Sequence, residues 1–481
     1  MRVLAINPCL RPESPRYILP MGLGYIVTSL KTHGYDFDLL DLDLMRPNDD
    51  WIRNYLADNV YDVYLMGCIV TGYRHIKSLT RMIRESNPAA KIVLGNSVAT
   101  SIPERVLRNS EADIVVFGEG DETILDLMEA FRGKMDLEKI PGIGFIDRNG
   151  NFKRTQGMHV VENLDTLPLP DWELFDTEKY NSFSGALTNE PCPIPLEERV
   201  CMQVNTARGC PFSCSFCYTV FFDEELGKGS RYRMRSAESI VGEIRHLKDR
   251  YGLNYVNFWD DLTFPNWKIA ERYVDAFLEA DLGFYWNATT RGNLLSLKEQ
   301  HVAEKMKAAG CVGLSYSLES ANDEIRQMAI NKILPVESFL EQKAVLDAAG
   351  ISTWTNLIVG YPQETEETLQ ESFDFCYEHD IYPSTGFLLP MPGTQVWDIA
   401  IRDGHIKDEE EFLMTFGDRQ DLYVNMTQIP TERMVEIVNT NLMRINHKLD
   451  LGLEESNLIK TTMKRDVAKR SDIKPQLARA H

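Results

Sequence analysis

Apolar residues along this chain follow two alternating rhythms: short unbroken runs, and longer stretches in which they return every third or fourth position. In the first quarter the short runs fall at 3–7, 37–42, 63–70, 91–94 and 113–117, with helical spacing between them. Strand and helix alternating in this way read as parallel βαβ units, here a doubly wound, Rossmann-like sheet. Between 142 and 155, Asn149-Gly150 flanked by Phe145-Ile146 and Phe152 carries a hairpin signature. A linker bearing Pro168, Pro170, Pro191, Pro193 and Pro195 follows. The alternation then resumes at 200–205, 255–259, 284–288, 312–317, 353–359 and 385–389, and each of these six runs but the last precedes a clear helical stretch. Ser236 stands where it caps the first such helix, whose Ala237, Ile240, Val241, Ile244 and Leu247 keep one face apolar. Beyond Thr394 the chain reads as helical, with Phe412, Phe416 and Tyr423 as packing residues and the whole segment expected to close the mouth of the second unit. The expected divisions are 1–135, a hairpin and linker over 136–195, a second α/β unit over 196–405, a helical segment over 406–458 and a tail over 459–481.

Composition adds exclusions. With 481 residues, 43% apolar and 26% charged, the chain is ordinary soluble protein, long enough for two or three domains. No apolar run reaches roughly eighteen residues, so no transmembrane segment is expected. A net charge of −21 repels a polyanion, so no nucleic-acid partner is expected. The one basic concentration, Lys460 to Arg479 with seven Lys or Arg and two Asp, reads as a solvated, disordered tail. Nine cysteines without a secretory h-region after Met1 point to a reducing, cytoplasmic location.

Three of those cysteines carry the chemistry. Cys210, Cys214 and Cys217 lie in Arg208-Gly-Cys-Pro-Phe-Ser-Cys-Ser-Phe-Cys-Tyr218, a C-x3-C-x2-C spacing. Three thiolates leave one iron of a four-iron cluster open, and an open iron chelates small molecules where a closed cluster only passes electrons. A structural zinc site wants four ligands, and no His stands in or near this run. Gly209, Pro211 and Ser213 make it a turn-prone loop rather than a core segment.

This run resembles the cluster loop of the radical S-adenosylmethionine (SAM) superfamily, C-x3-C-x-aromatic-C, with Phe216 in the aromatic position and Tyr218 following. Phe258-Trp-Asp-Asp-Leu-Thr-Phe264, Thr290-Arg291, Ser317-Leu-Glu-Ser320, Ile358-Val-Gly-Tyr-Pro362 with Glu364-Thr365, and Pro390-Met-Pro-Gly-Thr394 resemble that family's strand-end motifs in order and spacing. The resemblance implies a partial (β/α)6, TIM-like barrel with its site at the C-terminal strand ends. It implies a [4Fe-4S] cluster on the three cysteines, SAM on the open iron, reductive cleavage to a 5′-deoxyadenosyl radical, and an electron donor such as flavodoxin or ferredoxin. Phe216 and Tyr218 would lie at the cofactor, Ser317 and Glu319 would meet the ribose or methionine part of SAM, Arg291 its carboxylate, and Ile358 with Val359 the adenine. Where the family carries Gly-Gly-Glu for the SAM amino group, Asp260 and Asp261 stand. Adjacent strand side chains face opposite ways, so one of the two should face the cavity.

After the first run, Pro8 to Pro15 is a long loop that lacks the tight G-x-G-x-x-G of dinucleotide folds. Residues 1–135 instead resemble the cobalamin-binding domain ahead of one radical SAM class. The carrying residues are Pro20-Met-Gly-Leu-Gly-Tyr25 with Leu30 and Gly34, Gly95-Asn-Ser-Val-Ala-Thr100 with Pro103, and Asp113-Ile-Val-Val-Phe-Gly-Glu-Gly-Asp-Glu-Thr123. The resemblance implies cobalamin contacts at Gly22, Leu23, Tyr25, Cys68, Ile69, Val70, Gly95, Asn96, Ser97, Thr100, Gly118, Glu119 and Gly120. No Asp-x-His-x-x-Gly appears, so binding would be base-off without a His ligand. Asn96 replaces a family glycine, and Asn tolerates positive φ better than most residues. A cobalamin-dependent methyltransferase acting on an unactivated carbon of a small molecule is the leading expectation. The alternatives are a cyclase or rearrangement enzyme with both cofactors, or a radical SAM enzyme whose first domain no longer binds cobalamin. Methylthiotransferases need three further amino-terminal cysteines, where this chain has Cys9 and Cys68, and no cysteine follows Cys376 for an auxiliary cluster.

Overall fold

The computed structural model describes residues 1–12, 17–184, 192–220, 232–417 and 420–459; Pro191 and the basic tail from Lys460 lie outside these. The first sheet has seven strands in the order β2-β1-β3-β4-β5-β6-β7. β1 (Val3–Asn7), β2 (Asp38–Asp41), β3 (Val63–Gly67), β4 (Lys91–Gly95) and β5 (Ile114–Val116) run parallel. Alternate residues serve opposite faces. Val3, Leu65, Val93 and Ile114 pack with Leu127 and Met128 on one side, while Leu4, Ile6, Met66, Ile92 and Leu94 pack with Ile76, Ile83 and Val106 on the other.

The hairpin expected in the linker is instead the far edge of this sheet. β6 (Ile143–Ile146) pairs antiparallel with β5, and β7 (Phe152–Arg154) with β6, so the first unit extends past residue 135. The free edge of β5 is what the hairpin covers.

The second unit begins with β8 (Cys201–Val204), followed by a two-stranded antiparallel ribbon of β9 (Ala207–Gly209) and β10 (Tyr232–Met234). β11 (Tyr255–Phe258), β12 (Tyr285–Thr289), β13 (Cys311–Ser315) and β14 (Ser352–Trp354) join β8 in a parallel sheet ordered β14-β13-β12-β11-β8. β15 (Asn356–Val359) pairs with β16 (Ser384–Phe387), and the bridge Glu319 to Leu357 connects the two pieces. The single strand expected over 353–359 is thus split at Thr355. Its hydroxyl accepts the Leu318 N–H at 3.1 Å and its carbonyl accepts the Ser384 N–H at 2.9 Å, so the chain turns from β13 toward β16 there. Met202, Val256, Trp286 and Leu314 bury the outer face under the surrounding helices.

Gly310, just before β13, has φ +90°, and a Cβ there would lie 2.1 Å from the Phe284 carbonyl oxygen. Backbone cannot yield as a flexible side chain would. Gly310→Ala is expected to cost about 3 kcal/mol or more, from strain plus overlap, read as a lowered midpoint of thermal unfolding.

The carboxyl-terminal segment begins against the cluster loop, where the Val396 N–H donates to the Ser215 carbonyl at 3.4 Å, and then runs along the first unit and the outer helices. Helix Gln395–Arg402 shares an apolar cluster with both units, Glu409–Thr415 packs on the first unit, and Thr431–Lys448 lies against the outer helix Glu366–Glu378. The acidic stretch finds bases there: Glu410 accepts from the Tyr73 hydroxyl at 2.9 Å and pairs with Lys77 at 2.5 Å, and Glu409 pairs with Arg105 at 2.8 Å. Trp397, Phe412, Phe416 and Tyr423 form a chain of ring contacts within the same apolar cluster as the first sheet, confirming Phe412, Phe416 and Tyr423 as packing residues. Among the described residues no helix is long and apolar enough to cross a membrane.

Candidate functional site

Gly209, at φ +84°, turns the chain out of β9 directly into Cys210. The loop that follows is held from outside. Ser215 donates its N–H to the Ile330 carbonyl at 2.9 Å and its hydroxyl to Ala329 at 2.6 Å, while the Asn331 amide donates to the Ser213 carbonyl at 2.8 Å. The bracing segment contains a π-helical turn, Ile325–Ala329, a form frequent at functional sites. Arg326, fully buried, staples it by donating to the carbonyls of Ser320, Ala321 and Leu334. An arginine in a helical run reads as a solvated residue, so only the fold exposes this role.

The three thiols are half-buried. Burial pushes Cys210 up to about 12 and Cys217 to about 11, and raises Cys214. Their own charges repel one another, while Lys332 and Arg291 favour the Cys214 thiolate. Such thiols ionise when a metal's charge compensates them. Tyr361 supplies a test of fit for a cluster. Its ring is 1% exposed in the apolar cluster that includes Phe216, and its hydroxyl has no partner. Burial, then Glu319, Glu364, Cys214 and Cys217, hold it protonated. An orphaned donor beside the thiols suits a site completed by acceptor sulfur, so the residues fit a cluster.

The two aspartates separate. Asp260 accepts the Thr206 N–H and hydroxyl, each at 2.8 Å, and the Ala207 N–H at 3.1 Å, tying β11 to the turn before the cluster loop. Asp261 accepts from Thr219 and lies near enough to raise Cys210 and Cys217. Asp261 is therefore the carboxylate on the thiol side. Glu319 holds φ +71°, uncommon for a side-chain-bearing residue, and pairs at 3.0 Å with Lys332, which also donates to the Ser317 carbonyl at 2.5 Å. The Ser317 hydroxyl accepts from Asn356 at 2.8 Å. Arg291 stacks over Phe212 at 3.8 Å and donates to the Ile333 carbonyl, so it stands beside the loop as expected. Strand alternation divides Ile358 from Val359: the Val359 side chain is 2% exposed in the core, leaving Ile358 to face the site. Tyr218 and Trp259 remain exposed, by 37% and 43%. Sequence reasoning missed Lys332, Asn331 and Arg326.

In the first unit, Gly67 and Gly95 are paired at the ends of β3 and β4. A Cβ on Gly22 or Gly95 would meet nothing within 4 Å, as in a cradle open to a ligand. Asn96 adopts φ +68° and Gly118 φ +70°, the backbone form that glycine favours. Leu23 and Ile69 are half-buried beside them. These features fit a large planar group lying against the strand ends. At the other expected contacts the side chains are engaged within the protein. The Cys68 thiol is fully buried and bonds to the Ile69 carbonyl, while its N–H and C=O are taken by Gly95 and Val98. Val70 is 3% exposed, Ser97 accepts the Val70 N–H at 2.9 Å, and Thr100 donates to the Asn96 carbonyl, so their side chains shape the loop from behind. Gly120 is closed over by Ile26, 2.8 Å from where its Cβ would stand. Tyr25 is 8% exposed beneath Arg208, and the Glu119 carboxylate is engaged by Arg233. Asn96→Gly should hold stability within about 0.5 kcal/mol, whereas Asn96→Val should cost about 1–2 kcal/mol for a β-branched side chain in this region, checked by urea unfolding midpoints.

Residues 204–376 match the family model described as the radical SAM superfamily, and residues 11–128 that described as the B12 binding domain. The chain is similar to a cytidylyl-2-hydroxyethylphosphonate methyltransferase of Streptomyces wedmorensis, 26% identical over 86% of this chain and 84% of the relative. It is 30% identical to a bacteriochlorophyllide d C-12(1)-methyltransferase of Chlorobaculum tepidum, over 80% of this chain and 74% of the relative. An anaerobic magnesium-protoporphyrin IX monomethyl ester cyclase of Rubrivivax gelatinosus is 27% identical over 78% of this chain and 65% of the relative. The fold matches that of the radical S-adenosylmethionine methyltransferase TsrM from Kitasatospora setae, with a TM-score of 0.61 at 19% identity over 84% of this chain and 77% of that one.

Proposed function

We propose that the chain, which belongs to the radical SAM superfamily in its B12-binding branch, is a methyltransferase like two of those relatives and that its acceptor is an unactivated carbon of a small biosynthetic intermediate. The observation that supports this most is the pairing, in one chain, of an open strand-end cradle with a three-thiol loop. Cys210, Cys214 and Cys217 would hold the cluster; Gly22, Leu23, Ile69, Gly95, Asn96 and Gly118 would cradle the corrinoid. When bound, the cluster with SAM supplies hydrogen abstraction and the corrinoid a transferable methyl group. Asp261 would accept a hydrogen bond from the SAM ammonium, and Arg291 would pair with its carboxylate. Lys332 neutralises Glu319 and so fixes the strand end where the ribose or methionine part would lie. The exposed faces of Tyr218 and Trp259 offer apolar surface to a substrate. A flavodoxin or ferredoxin would deliver the electron. Nine free thiols suit a reducing cytoplasm.

Methyl-labelled SAM tests the reading. Reconstituted protein with reductant and acceptor should move label into product and release S-adenosylhomocysteine together with 5′-deoxyadenosine. Deoxyadenosine with an unlabelled product would favour a cyclase or rearrangement, as the cyclase relative suggests. A reconstituted protein without corrinoid absorbance would overturn the two-cofactor reading.

A further inference from the structure

Four charged side chains meet where the two α/β units touch. Arg208 and Arg233 face each other across the β9–β10 ribbon, and Cys210 follows Arg208 by two residues. Opposite them in the first unit, Glu119 stands just before helix Gly120–Phe131 and Asp121 in its first turn. Asp121 takes Arg208 through both oxygens, at 2.8 and 3.1 Å, and Glu119 takes Arg233 the same way, at 2.6 and 3.1 Å. Glu119 and Arg208 also approach to 3.3 Å. Neighbours tie the box further: Val161 donates its N–H to Glu119 at 2.7 Å and accepts from Arg233 at 2.6 Å, and Ser29 donates to the Asp121 backbone carbonyl at 2.8 Å. The Tyr25 ring lies 5.2 Å from the Arg208 guanidinium. Side-chain exposures are 5% for Glu119, 8% for Asp121, 9% for Arg233 and 23% for Arg208.

Buried charge is a poor adhesive, because desolvation consumes most of the attraction. What two bidentate forks supply is direction: planar guanidinium on planar carboxylate admits one orientation. An apolar contact would join the units as firmly and allow them to slide. We propose that this box gauges the distance between the two cofactors, with Arg208 and Arg233 acting as positioning residues that fix the cluster loop against the loop at the corrinoid cradle. The inference rests on the two-cofactor reading above. Loosening the box leaves each cofactor bound but separates their work, so SAM is cleaved without productive methyl transfer.

The test uses holoprotein carrying a reduced cluster and a Co(II) corrinoid, both paramagnetic, whose mutual spin–spin broadening reports their separation. Arg208→Lys keeps the charge but loses the fork; Glu119→Gln removes one carboxylate charge. Wild type should show one sharply defined separation. Both variants, or Arg208→Lys alone where Glu119→Gln fails to fold, should keep iron and corrinoid content, show a broadened distribution, and methylate at least about tenfold less product per SAM cleaved. An unchanged distribution with an unchanged ratio would overturn the inference. A wild type that takes up no corrinoid would overturn the functional reading and this inference with it.

Discussion

Replacing Cys210, Cys214 and Cys217 together by Ala leaves a folded protein that binds no iron and no longer cleaves SAM, a loss on the order of 10⁶-fold or more, down to the uncatalysed background. Four of the other cysteines, Cys68, Cys201, Cys311 and Cys376, are at most 1% exposed within cores, and Cys9 and Cys192 lack the spacing of the loop. The fold survives because the loop is held by Ser213 and Ser215 through bonds to Ala329, Ile330 and Asn331, none of which involves a thiol. Iron content, the electron paramagnetic resonance of the reduced protein and chromatography of 5′-deoxyadenosine give the answer. Cleavage that persists in the triple variant would sink the catalytic account.

Asp260→Asn and Asp261→Asn should fail in opposite ways, though they change neighbouring residues identically. The Asp260 carboxylate faces donors from Thr206 and Ala207. An amide places a donor against donors, and the expected cost is about 2–4 kcal/mol of stability. Burial raises Asp260 from 3.8 to about 6. As pH rises through that window the unfolded chain gives up its proton first, so Asp260 lowers stability between about pH 4 and 6, and Asp260→Asn removes that slope. Asp261→Asn should leave the unfolding midpoint nearly unchanged and weaken SAM binding about 10- to 100-fold, the worth of one charge-assisted hydrogen bond. Denaturant titration and calorimetric SAM titration of cluster-loaded protein separate the two. A destabilised Asp261→Asn with normal SAM affinity would reverse the assignment.

The parts of this molecule legible in its sequence are those written locally. The cysteine spacing, the strand runs and the Asn149-Gly150 turn depend on neighbours within a few residues. Asn96 belongs with them, since its φ of +68° is what a glycine-like position demands. Partnership was not legible. Nothing in the sequence near Thr355 says that the strand changes partners, nor that the hairpin seals β5. Cys68, Tyr25 and Glu119 fall at motif positions yet turn into the core or toward the other unit, because a motif records backbone placement and leaves side-chain direction to packing. Arg326 and Lys332 act through segments distant in the chain, where no periodicity announces them.

The clasp of Glu410 on Tyr73 spans 337 positions. A ribosome delivers the first unit long before it delivers Trp397, Phe412 and Phe416, so the side of helix Tyr73–Ser86 that meets helix Glu409–Thr415 waits uncovered through most of synthesis. Long-range closure of this kind is slow and leaves nascent chains prone to association. Biogenesis therefore opens an interval in which the nascent first unit depends on chaperones, and a chain terminated early by a nonsense mutation would be left with an apolar surface that quality control can recognise.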